Sequence, residues 1–227
     1  MIVVPTFNGY WQLHNLIKSL EKYGTNGHSV LIVDNGTSDV VSLKYLRELG
    51  QYVGSFDILV EKNKHGKYET GALIHAVREY PNEEKFILIH DGCVAQSSHW
   101  LTQFEEKLTP EAGAVVWVKF SPCLFAVFPP HREWMESVGV DLSNVPDGGV
   151  FGSIFMTYGS ILREWDAKGK FNCAPQTKLH AECWERIWAI YFHQEGYKVN
   201  SLINEFNPTA IHFGQYPHLR KTFKGRG

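Results

Sequence analysis

The sequence predicts an α/β fold with a largely parallel sheet. Short β-branched runs alternate with amphipathic stretches at intervals of roughly 30 residues, the length of a strand, a crossover helix and the next strand. The chain has 227 residues, 44% of them apolar and 14% aromatic, which is enough for one large buried core. We therefore expect a single globular domain over residues 1–227.

Composition and charge exclude several other classes of protein. The 22 Lys and Arg residues against 24 Asp and Glu residues give a net charge of −2, so no overall positive field attracts nucleic acid or an anionic membrane. No apolar run approaches the roughly 20 residues of a membrane-spanning helix. The four cysteines have no C-x-x-C spacing, so neither a zinc knuckle nor a thioredoxin-type redox pair is indicated; they are Cys93, Cys123, Cys173 and Cys183. We expect a cytoplasmic protein with reduced thiols and no intrinsic membrane segment.

The first half of the chain alternates strands and helices. Strands are predicted at residues 2–4, 29–33, 57–60, 86–89 and 114–118. Helices are predicted after the possible N-cap Asn8 and at residues 41–49, 68–80 and 100–108. The first four strands end near Thr6, Asp34, Asn63 and His90. Ligands bind outside the carboxyl ends of the strands in an open parallel sheet, so these side chains are expected to line one crevice.

The alternation stops after residue 118. Residues 122–177 combine Pro129-Pro130 and several glycines with aromatic residues, which predicts a less regular second half. A long helix is expected at residues 181–194, followed by Gly196 at its C-terminal cap and a last strand at 197–203.

Two loops carry the first indications of function. The turn Pro5-Thr6-Phe7-Asn8-Gly9 contains neither G-x-G-x-x-G nor a P-loop, so the usual glycine-rich phosphate cradles are missing. After the second strand comes Val33-Asp34-Asn35-Gly36-Thr37-Ser38-Asp39, where Asp34 could accept a hydrogen bond from a base or a ribose hydroxyl. An Asx turn explains this block equally well.

These two blocks, and the spacing between them, resemble the first two strands of the family 2 glycosyltransferases. The resemblance implies the GT-A fold, a Rossmann-like mixed sheet flanked by helices, and a nucleotide-sugar donor. It implies that Thr6 and Asp34 contact the base and ribose. Asn63, at the end of the third strand, is expected to join this donor-binding set.

The resemblance also implies a divalent ion, which this family holds between a D-x-D carboxylate pair and the donor diphosphate. The block His90-Asp91-Gly92-Cys93 leaves Asp91 as the one hard oxygen ligand there. His212 stands where the family often has a metal-binding histidine, and an imidazole ligand favours Mn²⁺ over Mg²⁺. The structural alternatives are a turn at Asp91-Gly92 and a buried histidine at His212.

The long helix contains Glu182-Cys183-Trp184-Glu185-Arg186. Alignment on Gly196-Tyr197 places Glu185 at the carboxylate that the family uses as general base. Helical spacing leaves Glu182, Glu185, Arg186 and Ala189 opposite the apolar face. We expect an i,i+4 ion pair between Glu182 and Arg186, which favours Glu185 over Glu182 as the base; the alternative is a solvated face with that pair alone.

Further residues are expected around the donor. Gly152 lies in a small-residue segment that resembles the family's approach to the donor sugar, although a simple bend is an alternative. Arg220 and Lys221 are expected to reach the leaving diphosphate when a mobile C-terminal segment closes as a lid, the alternative being an unstructured tail. Residues 1–119 would then bind the nucleotide, 120–212 would hold the acceptor and catalytic groups, and 213–227 would form the mobile segment.

The expected activity is transfer of a sugar from a nucleotide sugar, with UDP favoured, to a hydroxyl group of a glycan or other acceptor. The resemblance implies inversion at the anomeric carbon. A catalytically silent carbohydrate- or nucleotide-binding module on the same fold is one alternative, suggested by the degenerate carboxylate pair. A nucleotidyltransferase is a second, although such enzymes usually have a glycine-rich, basic first loop that residues 6–10 lack.

Overall fold

The structure, a computed structural model, describes residues 1–120, 129–146, 149–203 and 218–221. The strands are β1 (Ile2–Thr6), β2 (Val30–Asp34), β3 (Ile58–Lys62), β4 (Lys85–Leu88), β5 (Cys93–Ala95), β6 (Ala114–Phe120), β7 (Gly149–Val150), β8 (Phe155–Tyr158), β9 (Val199–Ile203) and β10 (Leu219–Lys221). The helices are α1 (Tyr10–Tyr23), α2 (Val40–Leu49), α3 (Tyr68–Glu79), α4 (Thr102–Lys107), α5 (Pro129–Ser137), α6 (Gly159–Ala167) and α7 (Lys178–Gln194), with short 3₁₀ turns at Phe151–Ser153 and Lys170–Cys173.

One mixed sheet takes strands from both halves of the chain. Its order is β3-β2-β1-β4-β8-β6, with β7 at the end of β6 and β9 along the other edge of β6. The strands β1 to β4 are parallel, as the sequence predicts, and Thr6 lies opposite Asp34 in the register. β8 is antiparallel to both β4 and β6. The α/β prediction is confirmed.

Helices cover both faces of this sheet, so β1 is buried on both sides. Val3 packs in a core with α3, α5, α6 and α7, and its neighbours Ile2 and Val4 pack in a second core with α1, α2 and α4. In the part of the chain that the structure describes, no helix has the length and apolarity needed to cross a lipid bilayer.

The second half is more regular than the sequence predicts. Helices α5 and α6 and strand β8 lie in the segment for which we expect irregular structure. That expectation is wrong because β8 is short and antiparallel to its neighbours, so no crossover of about 30 residues produces the alternating pattern. The pair Pro129-Pro130 begins α5, where proline is well suited to the first turn of a helix.

Part of the expected mobile segment is a strand. Residues 219–221 form β10, which pairs with β5 in a small antiparallel sheet. Next to it, the main-chain N–H of Gln96 donates to the carbonyl of His218 over 2.9 Å. The expectation of mobility is therefore corrected for these residues, since their backbone is fixed by sheet pairing. The other residues of 213–227, and His212, lie outside the described residues.

Candidate active site

A cleft of about 690 Å³ opens at the carboxyl ends of β1 and β4. Its sheet-end wall is formed by Thr6 at the end of β1, by Phe7 and by the turn that contains His90 and Asp91. Its sides are formed by the start of α3, the first residue of α7 and the last residue of β10, which contribute Lys67, Tyr68, Glu69, Lys178 and Lys221. The cleft therefore lies where an α/β sheet usually binds its ligands.

Thr6 and Asp91 meet in the sheet-end wall of the cleft. The Thr6 hydroxyl donates to Oδ2 of Asp91 over 3.1 Å, and Thr6 is almost fully buried. Gly9, which precedes α1, leaves the space beside this carboxylate, because a Cβ there would collide with Asp91 Oδ2. The sequence thus brings two of the expected donor-binding residues into direct contact.

Asn8 does not cap α1, contrary to the sequence prediction. Its backbone is in the left-handed region with φ of 50°, and its Oδ1 accepts from the main-chain N–H groups of Ser38 at 2.8 Å and Asp39 at 3.1 Å. Asparagine tolerates this conformation better than most residues. Asn8 therefore ties the loop after β1 to the loop after β2, and Gly9 takes the N-cap position.

Asp34 and Asn63 stand beside the cleft and do not line it. Oδ1 of Asp34 accepts from the main-chain N–H groups of Gly36 at 3.1 Å and Thr37 at 2.7 Å, which is the Asx turn that the sequence left open. Nδ2 of Asn63 donates to Oδ1 of Asn35 over 2.7 Å, and Asn35 does line the cleft. A direct donor contact by either residue stays a prediction.

His90 connects several groups on one side of the cleft. Its Nε2 contacts the carbonyl oxygen of Gly152, its Nδ1 lies 3.5 Å from Oε1 of Glu69, and Nζ of Lys221 is 3.5 Å from Nε2. Burial and the charge of Lys221 lower the pKa of His90 to about 4. The imidazole is therefore neutral near pH 7.

Arg220 and Lys221 are the two expected donor-binding residues of the C-terminal segment, and of these two Lys221 reaches the cleft. Burial lowers its pKa, while the nearby carboxylates of Glu69 and Glu185 oppose that shift. Gly152 has φ of 60°, a conformation that favours glycine, and a Cβ there would lie 2.5 Å from Nζ of Lys221, so a larger residue would displace the lysine head group. Arg220 is exposed and is not part of the cleft lining.

Three lysines face the cleft from three different elements. Lys67 lies just before α3, Lys178 is the first residue of α7 and Lys221 is the last residue of β10. Both α3 and α7 direct their N-termini to the same side, and helix N-termini favour negative charge. The cleft therefore offers three cationic side chains beside the two carboxylates of Glu69 and Asp91, in a chain whose net charge is −2.

The two glutamates of α7 differ from the sequence prediction in their partners. Oε2 of Glu185 lies 3.2 Å from Nη1 of Arg186, while Glu182 pairs with His131 at 3.2 Å. The guanidinium of Arg186 also contacts the main-chain carbonyl of Glu182. The expected pair between the Glu182 carboxylate and Arg186 is thus replaced by a pair with Glu185. Arg186 and Ala189 are buried, so this side of α7 is not a solvated face.

Glu185 lies close enough to the cleft to interact with its charges. Burial raises its pKa, against the opposing influence of Arg186 and Lys221, and the charge of Glu69 raises it further. Neither Glu185 nor Glu182 is among the residues that line the cleft. A role for either as general base stays a prediction.

Asp91 is the described residue of the cleft that best fits a divalent ion. Its carboxylate is a hard oxygen donor of the kind that Mg²⁺ and Mn²⁺ prefer. Within the described residues, no group of three clustered ligand side chains occurs at this cleft. The donor set therefore fits an ion held by one carboxylate and completed by diphosphate oxygens and water. His212, the other expected ligand, lies outside the described residues.

Several cleft residues were not singled out from the sequence. Lys67, Tyr68 and Glu69 follow β3 and begin α3, so their position after a strand end was the available signal. Tyr68 has φ of 60°, a strained value for a tyrosine and one often found at functional sites. Lys178 had no comparable signal, because its place beside the cleft depends on how α7 packs across the sheet.

The sheet order, the two helical layers and the position of the cleft are those of the GT-A fold of nucleotide-sugar glycosyltransferases. No protein-family model and no curated protein matches the sequence. The fold is therefore recognised from the structure, by its similarity to solved structures that include a mannosyltransferase and a glucosyl-3-phosphoglycerate synthase.

Three similar solved structures illustrate this. The mannosyltransferase PcManGT from Pyrobaculum calidifontis, solved with GDP-Man and Mn²⁺, has a TM-score of 0.57 and 15% identity over 89% of this chain and 54% of its own. S. aureus TarS has a TM-score of 0.54 and 11% identity over 90% and 58%. Glucosyl-3-phosphoglycerate synthase from Mycobacterium tuberculosis, solved with UDP, has a TM-score of 0.50 and 12% identity over 91% and 71%. This chain thus spans just over half the length of the first two.

Proposed function

We propose that this chain is a glycosyltransferase that moves a hexose from a nucleotide sugar to a hydroxyl acceptor. The observation that carries the proposal is the combination of Asp91 with Lys67, Lys178 and Lys221 around one cleft at the ends of parallel strands. A nucleoside diphosphate needs cationic partners for its phosphates and an oxygen ligand for its metal ion. The cleft supplies both kinds of group.

The donor is proposed to lie with its base near β1 and β2 and its diphosphate near Asp91. Phe7, which is half exposed at the cleft, offers a ring on which a base can stack, and Asn35 offers an amide for hydrogen bonding. We favour a UDP-sugar. The similar structures contain both UDP and GDP-Man, so a GDP-sugar is the competing donor to include in any assay.

The chemistry proposed for the site divides between Glu185 and the cations. An acceptor hydroxyl loses its proton as it attacks the anomeric carbon, and a carboxylate whose pKa is raised by burial is suited to accept it. Lys221 would pair with the negative charge that develops on the leaving diphosphate. A divalent ion held by Asp91 would supply additional Lewis-acid stabilisation of that leaving group.

Direct attack by the acceptor would invert the configuration at the anomeric carbon. We propose inversion on that basis, with Glu185 on the acceptor side of the donor sugar. The acceptor is proposed to be a glycan or another hydroxyl compound, and the cytoplasm stays the expected compartment.

Turnover with a panel of donors tests the proposal. Wild-type protein would be incubated with UDP- and GDP-hexoses in Mn²⁺, and released nucleoside diphosphate would be measured with and without candidate glycan acceptors. We expect slow hydrolysis of the donors of one nucleotide class, either UDP-hexoses or GDP-hexoses. The Asp91→Asn variant should lose this hydrolysis. Tight nucleotide binding without any turnover, with every donor and acceptor tried, would favour the catalytically silent module instead.

A further inference from the structure

A second cluster of ligand side chains lies apart from Asp91, at the loop between β3 and α3 and on α3 itself. His65 comes from the loop, and His75 and Glu79 are one turn apart on α3, so both project from the same side of the helix. One ligand atom of each of the three residues lies within 4.8 Å of the other two. None of them has a part in the proposed sugar transfer.

The separation between His65 and Glu79 suits a small tetrahedral ion. Nε2 of His65 lies 3.6 Å from Oε1 of Glu79. Two ligand atoms at Zn²⁺ distances of about 2.0–2.1 Å are separated by about 3.3 Å in a tetrahedral site. Binding therefore needs a movement of only a few tenths of an ångström between this nitrogen and this oxygen.

His75 provides the second, independent observation. Its side chain is fully buried, and its Nε2 lies 2.7 Å from Oε2 of Glu61, while Nδ1 has no hydrogen-bond partner among the described residues. A buried ring nitrogen without a partner is costly. A metal-binding histidine typically donates its other ring N–H to a carboxylate, and Glu61 is placed to accept that bond.

We propose that His65, His75 and Glu79 bind Zn²⁺, with Nδ1 of His75 as the buried ligand and Glu61 as its hydrogen-bonded support. Two imidazoles and one carboxylate form a common protein donor set for zinc, and water fills the remaining position. The ion fixes the loop after β3 to the side of α3. Lys67, two residues after His65, lines the cleft, so the zinc site is a structural support for that wall.

Two cations lie beside the cluster, and one of them, Arg78, must adjust when zinc binds. Nζ of Lys64 lies 3.2 Å from Oε2 of Glu79, the oxygen that Oε1 coordination leaves available. Nη1 of Arg78 lies 3.1 Å from Nδ1 of His65, which carries a proton once Nε2 binds the metal. Arg78 can release this contact, because its Nε and Nη2 remain bound to Asp166 at 2.9 and 2.6 Å.

Titration calorimetry with Zn²⁺ alone tests the site, using the full chain after removal of bound metal with EDTA. We expect one Zn²⁺ per chain and a higher melting temperature. His65→Asn and Glu79→Gln should each weaken binding at least tenfold, and Glu61→Gln by about 10- to 100-fold. These side chains are partly exposed, so folding of each variant can be verified by circular dichroism, whereas a change at the fully buried His75 could unfold the protein.

Two control variants separate this site from others. His193→Asn removes an exposed histidine of α7 and should leave Zn²⁺ binding unchanged. Asp91→Asn should also leave it unchanged, which distinguishes the zinc site from the metal expected at the cleft. The proposal is overturned if Zn²⁺ does not bind stoichiometrically, if His65→Asn and Glu79→Gln bind it like wild type, or if Asp91→Asn alone abolishes binding.

Discussion

The two walls of the cleft differ in the chemistry they offer. The sheet-end wall is formed by Thr6 and Asp91 at the ends of the parallel strands β1 and β4. The Thr6 hydroxyl, which is uncharged, holds the Asp91 carboxylate in place by donating a hydrogen bond to it. The charged wall, formed by Lys178 of α7 and Lys221 of β10, holds two cations whose charges act on the buried carboxylate of Glu185. The sheet-end wall is thus suited to hold a ligand in a fixed position, and the charged wall together with Glu185 is suited to move a proton and stabilise charge.

The largest effect expected from this difference follows from Glu185→Gln. The amide cannot accept the acceptor's proton, so kcat should fall by about 10²- to 10⁴-fold. Nucleotide affinity should change little, because the sheet-end wall is intact. Steady-state kinetics together with calorimetry of UDP separate the two effects.

Glu182→Gln is the matched control, since it makes the same change three residues away, at a side chain paired with His131. It should lower kcat by no more than a few-fold. If Glu182→Gln gives the large loss and Glu185→Gln the small one, the assignment of the base on α7 is wrong by one turn.

The pH dependence of kcat sharpens the same comparison. Burial raises the pKa of Glu185 above its ordinary value of 4.5, and the base works only when it is unprotonated. Activity should therefore decline as pH falls through that raised pKa, with an acid limb above pH 4.5. His90, with a pKa of about 4, would give a limb at lower pH. An acid limb that persists unchanged in the residual activity of Glu185→Gln would assign it to another group.

An intermediate effect is expected from Lys221→Met. Removing this cation should weaken UDP binding by about tenfold, or about 1.4 kcal/mol, and leave the affinity for uridine unchanged, because uridine has no phosphate. Arg220→Met is the control, since Arg220 is the adjacent but exposed residue of β10. Equal losses for the two variants would mean that Lys221 acts only through general surface charge.

The smallest effect is expected from Asn8, which supports the sheet-end wall indirectly and therefore changes the stability of the protein. Asn8→Gly removes three side-chain hydrogen bonds to the loop after β2 and should lower the free energy of unfolding by about 1 kcal/mol. Asn8→Ala should cost more, because alanine is strained at φ of 50°. Urea unfolding measures both. If the Asn8→Ala protein is as stable as the Asn8→Gly protein, the strain argument is wrong.

The parallel part of the sheet was predictable because β1, β2 and most of β4 are buried and the connecting segments have the length of a crossover. The runs at β1, β2 and β4 are continuous and apolar, and the Gly196 cap marks the end of α7, where Gly196 has φ of 81°. The antiparallel strand β8 and the small sheet of β5 and β10 were missed. Their pairing joins segments distant in sequence, which no local periodicity reveals.

The candidate site was predictable to the extent that it depends on strand ends. Thr6 ends β1, His90 and Asp91 come shortly after β4, and all three line the cleft. Arg186 was misassigned because helical spacing alone suggested a solvated face, whereas α7 packs between the sheet and its neighbouring helices and buries the guanidinium beside Glu185. The partners of Glu185 are a tertiary property that a helical wheel cannot supply.

Calorimetry of UDP binding to wild type and Asp91→Asn, each in Mn²⁺ and in EDTA, tests most directly whether the sheet-end wall holds the donor diphosphate through a metal ion. Wild type should bind UDP more tightly in Mn²⁺ than in EDTA, because the ion bridges Asp91 and the phosphates. The variant should bind equally in both conditions, with an affinity close to that of wild type in EDTA. Identical affinities for wild type and Asp91→Asn under both conditions would contradict the account.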